Sequence, residues 1–122
     1  MAEYQEAQAQ LTLPPGAGAD AWGRPLDKNV GAESVLYEPG AATTRVQMGW
    51  LCAWEREWLG TRGVDATREA EALKQIERFK DFVTYQQRFD ENSRLFYDNR
   101  VAAAKLGDPS KIQEHVDLNC AP

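Results

Sequence analysis

Within these 122 residues, the side chains suited to chemistry are few: Cys52, Glu55, Asn99, His115, Asp117, Asn119 and Cys120. The two cysteines form an even pair, the second close to the C-terminus, which fits a staple for the tail of the chain. Such a bond closes a loop of about seventy residues and contributes about 4 kcal/mol in the chain-entropy model. The alternative, two unrelated reduced thiols in a cytoplasmic protein, stays open, because cysteine is also a common small buried residue. Cys52, Cys120, the single His115 and Asp117 have the types for four zinc ligands. Their spacing matches no finger or ribbon, so no metal is expected. Cys52, His115 and Asn119 have the types of a thiol-protease triad. Cys52 nevertheless falls among tryptophans in the middle of a helix, where a thiol is inert. There is no phosphate-binding loop, nucleophile elbow, zinc-protease pair or calcium loop. No catalytic residue and no cofactor is therefore assigned, and an enzyme is the less favoured reading.

Two polar residues interrupt apolar arcs when helices are drawn at about 100° per residue. Glu55 falls between Leu51 and Met48, and a buried carboxylate must find a donor or shift its titration. Arg78, Arg88, Arg94 and Tyr85 are the donors expected for it. Asn99 falls in an arc of Phe96, Ala102, Ala103 and Leu106, and a buried Asn usually satisfies a loop or helix end. With His115, Glu55 and Asn99 make up a candidate buried polar site.

The elements that must position these residues are helical, and the expected fold is all-α. It is read as a small antiparallel bundle of three to four helices with a Pro/Gly-rich irregular segment packed on it. Composition changes near residue 40. Residues 1–40 hold nine of the fifteen Gly and Pro residues, whereas residues 41–122 hold nine of the twelve aromatics. The expected division is thus 1–40, irregular, and 41–122, helical. Pro14-Pro15-Gly16, Gly23-Arg24-Pro25 and Pro39-Gly40 are turn signals, and Gln5 to Gln10 reads as a frayed helical turn or stalk. Trp22, Leu26, Val35, Leu36 and Tyr37 are its expected anchors on the core.

A first helix is expected over 44–59, opened by a Thr44–Gln47 capping box and stopped at Gly60. Trp50, Trp54 and Trp58 share one side of it with Val46, and its apolar arc is too wide for a surface helix. It is therefore central, and the tryptophan stripe reads as core rather than as a sugar-stacking platform. A second helical stretch starts at Asp65 and keeps helical spacing to Leu106-Gly107. As one rod it would be about 60 Å long, so a break is expected between Val83 and Ser93. Asp108-Pro109 opens a last short helix, with Ile112 and Val116 inward.

Leu13-Pro14-Pro15-Gly16, Cys52-Ala53-Trp54-Glu55-Arg56-Glu57-Trp58-Leu59 and Asn119-Cys120 together resemble small exported or membrane-anchored helical domains of actinobacteria. The resemblance implies an extracytoplasmic setting, an upstream hydrophobic anchor that is missing from this sequence, and paired cysteines. It implies no activity. The N-terminal residues themselves are polar and acidic and do not read as a signal peptide.

Nineteen acids against fourteen bases give a net charge of −5, and the bases alternate with acids rather than cluster. Nucleic acid is therefore not an expected partner, and a membrane is met only through the missing anchor. The favoured reading is a non-enzymatic exported domain acting by protein–protein contact. The alternatives are a cytoplasmic helical adaptor or immunity-type inhibitor steered by its acidic surface, and a small-ligand binder or enzyme built around Glu55. The oligomeric state is not legible in the sequence.

Overall fold

The computed structural model describes residues 2–18, 22 and 40–120, which are helical throughout their regular parts. Among the described residues, five α-helices follow in chain order: α1 (Ala2–Ala9), α2 (Ala41–Thr61), α3 (Ala66–Arg78), α4 (Glu91–Lys105) and α5 (Ser110–Asn119). A short 3₁₀ turn (Phe79–Asp81) and a π-helical turn (Thr84–Arg88) separate α3 from α4. The Gly23-Arg24-Pro25 signal and the anchors Leu26, Val35, Leu36 and Tyr37 lie outside the described residues.

Helix α2 is the axis of the molecule, touching α1, α3, α5 and the π turn. Its buried residues, among them Val46, Trp50, Leu51, Cys52, Trp54, Glu55 and Trp58, point to more than one side. It begins earlier than the sequence suggests, and no capping box forms: Gly40 precedes it without a side-chain cap. The carboxylate of Glu3 on α1 takes that role. Its Oε2 accepts from the Thr43 N–H at 2.7 Å and from the Thr43 hydroxyl at 2.9 Å. Gln47 turns elsewhere, its Oε1 accepting from the Thr84 N–H at 3.1 Å and the Thr84 hydroxyl at 2.6 Å. A glutamine drawn to a distant backbone N–H satisfies a buried donor at the π turn, which a capping box would have left orphaned.

Residues 2–9 are regular rather than irregular, since they form α1, which packs on α2. The chain then crosses the tryptophan stripe. The Thr12 carbonyl accepts from both Trp50 Nε1 (2.9 Å) and Trp54 Nε1 (3.0 Å). Leu11, Leu13 and Trp22 pack against the core beside it. One carbonyl thus satisfies two indoles that burial would otherwise leave without partners.

Asp65 caps α3 by accepting from the Arg68 N–H at 3.1 Å. The chain breaks after Arg78, slightly ahead of the expected window, and Phe79 fills the corner with its ring 5.5–5.7 Å from those of Phe82, Phe89 and Tyr97. Asp90 caps α4 through the Ser93 N–H at 2.8 Å. At the far end Gly107, with φ of 85°, takes the left-handed position, and the N–H groups of Gly107 and Asp108 bond back to Ala104 and Ala103. Asp108 then accepts from the Ser110 N–H at 2.9 Å and opens α5, which buries Ile112 and His115 and half-buries Val116.

The phase of α4 differs from the expected arc. Its buried residues are Tyr97, Arg100 and Ala104, whereas Phe96 is 66% and Leu106 88% exposed. Val83, at the start of the expected break, is also exposed. The packed side of α4 mixes an aromatic, an arginine and an alanine, so the arc of purely apolar residues at 96, 102, 103 and 106 did not mark it.

Candidate functional site

Helix α2 places Cys52 and Glu55 three residues apart, hence on one face. Helix α5 brings His115 and, just past its end, Cys120 to that face, and α4 contributes Arg100. Cys52 and Cys120 form a disulfide with Cα atoms 5.8 Å apart across 68 positions of sequence. No free cysteine is present among the described residues. The staple ties the end of α5 to the middle of α2, and it removes Cys52 as a nucleophile. A thiol-protease triad is accordingly absent from this state, and Asn119 is exposed.

Glu55 has no solvent exposure at all. Its Oε1 lies 2.5 Å from His115 Nδ1, and its Oε2 accepts from Arg100 Nε at 3.2 Å. Each carboxylate oxygen therefore has its own partner, from a different helix. None of the donors expected from the sequence serves. Arg78 lies over the Trp50 and Phe82 rings, Arg94 donates to the Tyr85 and Gln86 carbonyls, and the Tyr85 hydroxyl donates to Asp98. Arg88 lies against Gly40. Arg100 itself is nearly buried, with its guanidinium 5.7 Å from the Tyr97 ring centre. Desolvating an ion costs several kcal/mol unless a partner repays it, so the three residues stand or fall together. No buried side-chain nitrogen or oxygen among the described residues lacks a partner.

Asn99 is not part of this cluster as a buried group. It is exposed and lines a groove of about 460 Å³ that reaches His115 and Arg100. The apolar lining comes from Met48, Phe89, Phe96 and Leu118. Met48 and Phe89 are half-buried, while Phe96 and Leu118 are largely exposed. Trp50, Trp54 and Trp58 contribute nothing to the groove lining and are at most 4% exposed.

One further coincidence belongs to the same place. One ligand-type atom from each of Cys52, Glu55, His115 and Cys120 lies within 4.8 Å of all the others. Asp117, the acid that sequence spacing nominated beside the cysteines, is exposed and accepts from Gln113 Nε2 at 3.0 Å instead. Two tyrosines near the core are also perturbed. Burial pushes the Tyr97 hydroxyl well above its ordinary range, and it donates to the Ile76 carbonyl at 2.5 Å. Burial and the hydrogen bond to Asp98 raise Tyr85. Both therefore stay protonated as donors.

Sequence reasoning identified Glu55 and the cysteine pair but missed Arg100 and Glu3. Arg100 would have emerged once α4 was phased on Tyr97 and Ala104, three residues before and four after it. A charged residue on an inward face calls for an opposite one nearby. No family model matches the chain, nor does any curated protein or solved structure.

Proposed function

We propose that this protein is a non-enzymatic, disulfide-stapled helical domain that works outside the cytoplasm by binding an apolar segment of a partner protein in the groove between α4 and α5. The observation that carries the reading is the Cys52–Cys120 bond, which ties the end of α5 to α2 and so holds one wall of the groove. Disulfides persist in oxidising compartments and are rare in the cytoplasm. The buried ion group supports a structural rather than catalytic use of Glu55, since both its oxygens are already engaged. Phe96 and Leu118, 66% and 74% exposed, offer the kind of large side chains that anchor protein contacts. No helix among the described residues is long and apolar enough to cross a membrane.

A photo-crosslinking residue at position 96, compared with one at the exposed Lys74 on α3, tests the contact in native cells. The expected result is a discrete protein adduct from position 96 only, lost when Leu118→Asp is added, with the melting temperature unchanged. Acid-quenched alkylation of the same cells tests the compartment, and both thiols should stay unlabelled until reduction. Identical adducts from both positions, or freely labelled thiols, overturn the reading.

A further inference from the structure

The cluster at the α2–α5 contact has more capacity than a staple and an ion pair require. Cys52 and Glu55 are three residues apart on one helix, and His115 and Cys120 are five apart at the end of another. Two short ligand pairs joined by a long loop is the arrangement of structural zinc sites. We infer that, when the disulfide is reduced, Cys52, Glu55, His115 and Cys120 together bind one Zn²⁺, so that the tail of the chain is held by a covalent clasp in one redox state and by a metal clasp in the other.

The chemistry balances with a dithiol as reductant. Its two electrons break the S–S bond, its two protons leave Cys52 and Cys120 as thiols, and the reductant becomes a disulfide. Zn²⁺ then displaces those two protons as the thiolates coordinate. Tetrahedral zinc, with arms of about 2.0–2.3 Å, sets its ligand atoms about 3.3–3.8 Å apart. The four atoms already lie within 4.8 Å of one another, so the site forms by small side-chain movements once the sulfurs separate. His115 and Glu55 move from contacting each other to contacting the ion.

Charge favours the same occupant. Two thiolates and a carboxylate bring three negative charges into a buried place. A divalent ion and the Arg100 guanidinium, 3.2 Å from Glu55 Oε2, neutralise them. Arg100 thus orients a ligand from outside the coordination sphere, as carboxylates and carbonyls do for zinc-bound histidines. Paired thiolates with an imidazole select zinc over magnesium or calcium, which take oxygen ligands. The inference stands on the cluster alone and holds whatever compartment or partner the protein has.

The test uses the full chain, reduced with a phosphine under anaerobic conditions and titrated with Co²⁺ alone. The expected spectrum has visible bands of tetrahedral cobalt and a near-ultraviolet thiolate charge-transfer band, both saturating at one ion per chain and bleached by added Zn²⁺. The oxidised chain should give neither. X-ray absorption of the reduced, zinc-loaded wild type should show two sulfurs at about 2.3 Å and two lighter atoms at about 2.0–2.2 Å. His115→Gln and Glu55→Gln, each checked for folding by circular dichroism in the oxidised form, should weaken cobalt binding at least about tenfold. Absence of tetrahedral bands in the reduced wild type overturns the inference, as does equal binding by the oxidised chain. Wild-type affinity in both variants overturns the four-ligand site. Should a variant fail to fold, the sulfur and light-atom count of the wild type decides.

Discussion

Glu55 has no route to water, so its charge is tolerated only through its partners. Arg100 supplies the cation and His115 the second contact, and both come from helices distant in sequence. Removing one partner of a buried pair leaves the other uncompensated, at a cost of about 3–5 kcal/mol. Arg100→Met should therefore lower stability by about 3 kcal/mol in urea unfolding with the disulfide intact. The double variant Glu55→Leu/Arg100→Met should lose less than the sum of the two single changes, because neither charge is then stranded. Additive losses would show that the pair is not coupled. Glu3 is the second carboxylate with a specific task. Hydrogen bonds from Thr43 hold its carboxyl below the ordinary value of 4.5. A carboxylate depressed in the folded state stabilises above its unfolded value, and the contribution fades as pH falls through the lower folded one. The Thr43 amide should thus lose hydrogen-exchange protection in acid below about 4.5, and Glu3→Gln should show the same loss at neutral pH. Glu55 was visible in the sequence as an acid inside an apolar arc. Its cation was not, because Arg100 lies on a face of α4, between Tyr97 and Ala104, that no run of apolar residues marks.

Some helix limits were legible from local signals, although the Thr44–Gln47 box and the Gly60 stop misplaced both ends of α2. Asp65 and Asp108 accept from a backbone N–H three and two residues ahead, and Leu106-Gly107 ends α4 where the sequence places it, whereas the cap made by Asp90 was not read. The start of α2 was not legible, since its cap comes from Glu3, 40 positions away. Nor does the sequence distinguish the two helical glycines of α2, which the structure separates sharply. A Cβ built on Gly60 meets nothing within 4 Å, whereas one on Gly49 would stand 2.5 Å from the Trp22 carbonyl oxygen. Both substitutions to Ala gain helix propensity, about 0.8–1.0 kcal/mol at an interior position. At Gly60 that gain should appear nearly whole as a higher melting temperature. At Gly49 the backbone of Trp22 has to withdraw, and overpacking of this kind costs about 1–3 kcal/mol. Gly49→Ala should therefore be destabilising while Gly60→Ala stabilises. Equal and favourable shifts would show that the Trp22 carbonyl is not held against α2.

The molecule is organised around one helix, and its last helix brings little core of its own. Helix α5 buries only Ile112 and His115, whereas α2 buries ten residues between Ala42 and Thr61. The disulfide compensates by acting on the unfolded chain. It closes a loop across 68 positions, contributing about 4 kcal/mol in the chain-entropy model. That is a large share of the roughly 5–15 kcal/mol by which domains are stable. The variant Cys52→Ala/Cys120→Ala, which can neither close the bond nor bind metal through sulfur, isolates this term. It should remain helical but unfold at lower urea, with a steeper slope because the untethered denatured chain exposes more surface. The loss should also be uneven. Amides near Ile112 and His115 in α5 should exchange much faster than in the oxidised wild type. Those near Ile76 in α3, packed between α2 and α4, should fall only by the change in global stability. An equal fall at both would mean that α5 opens only when everything opens. The staple would then guard the whole core, and the groove beside α5 would be as rigid as the core itself.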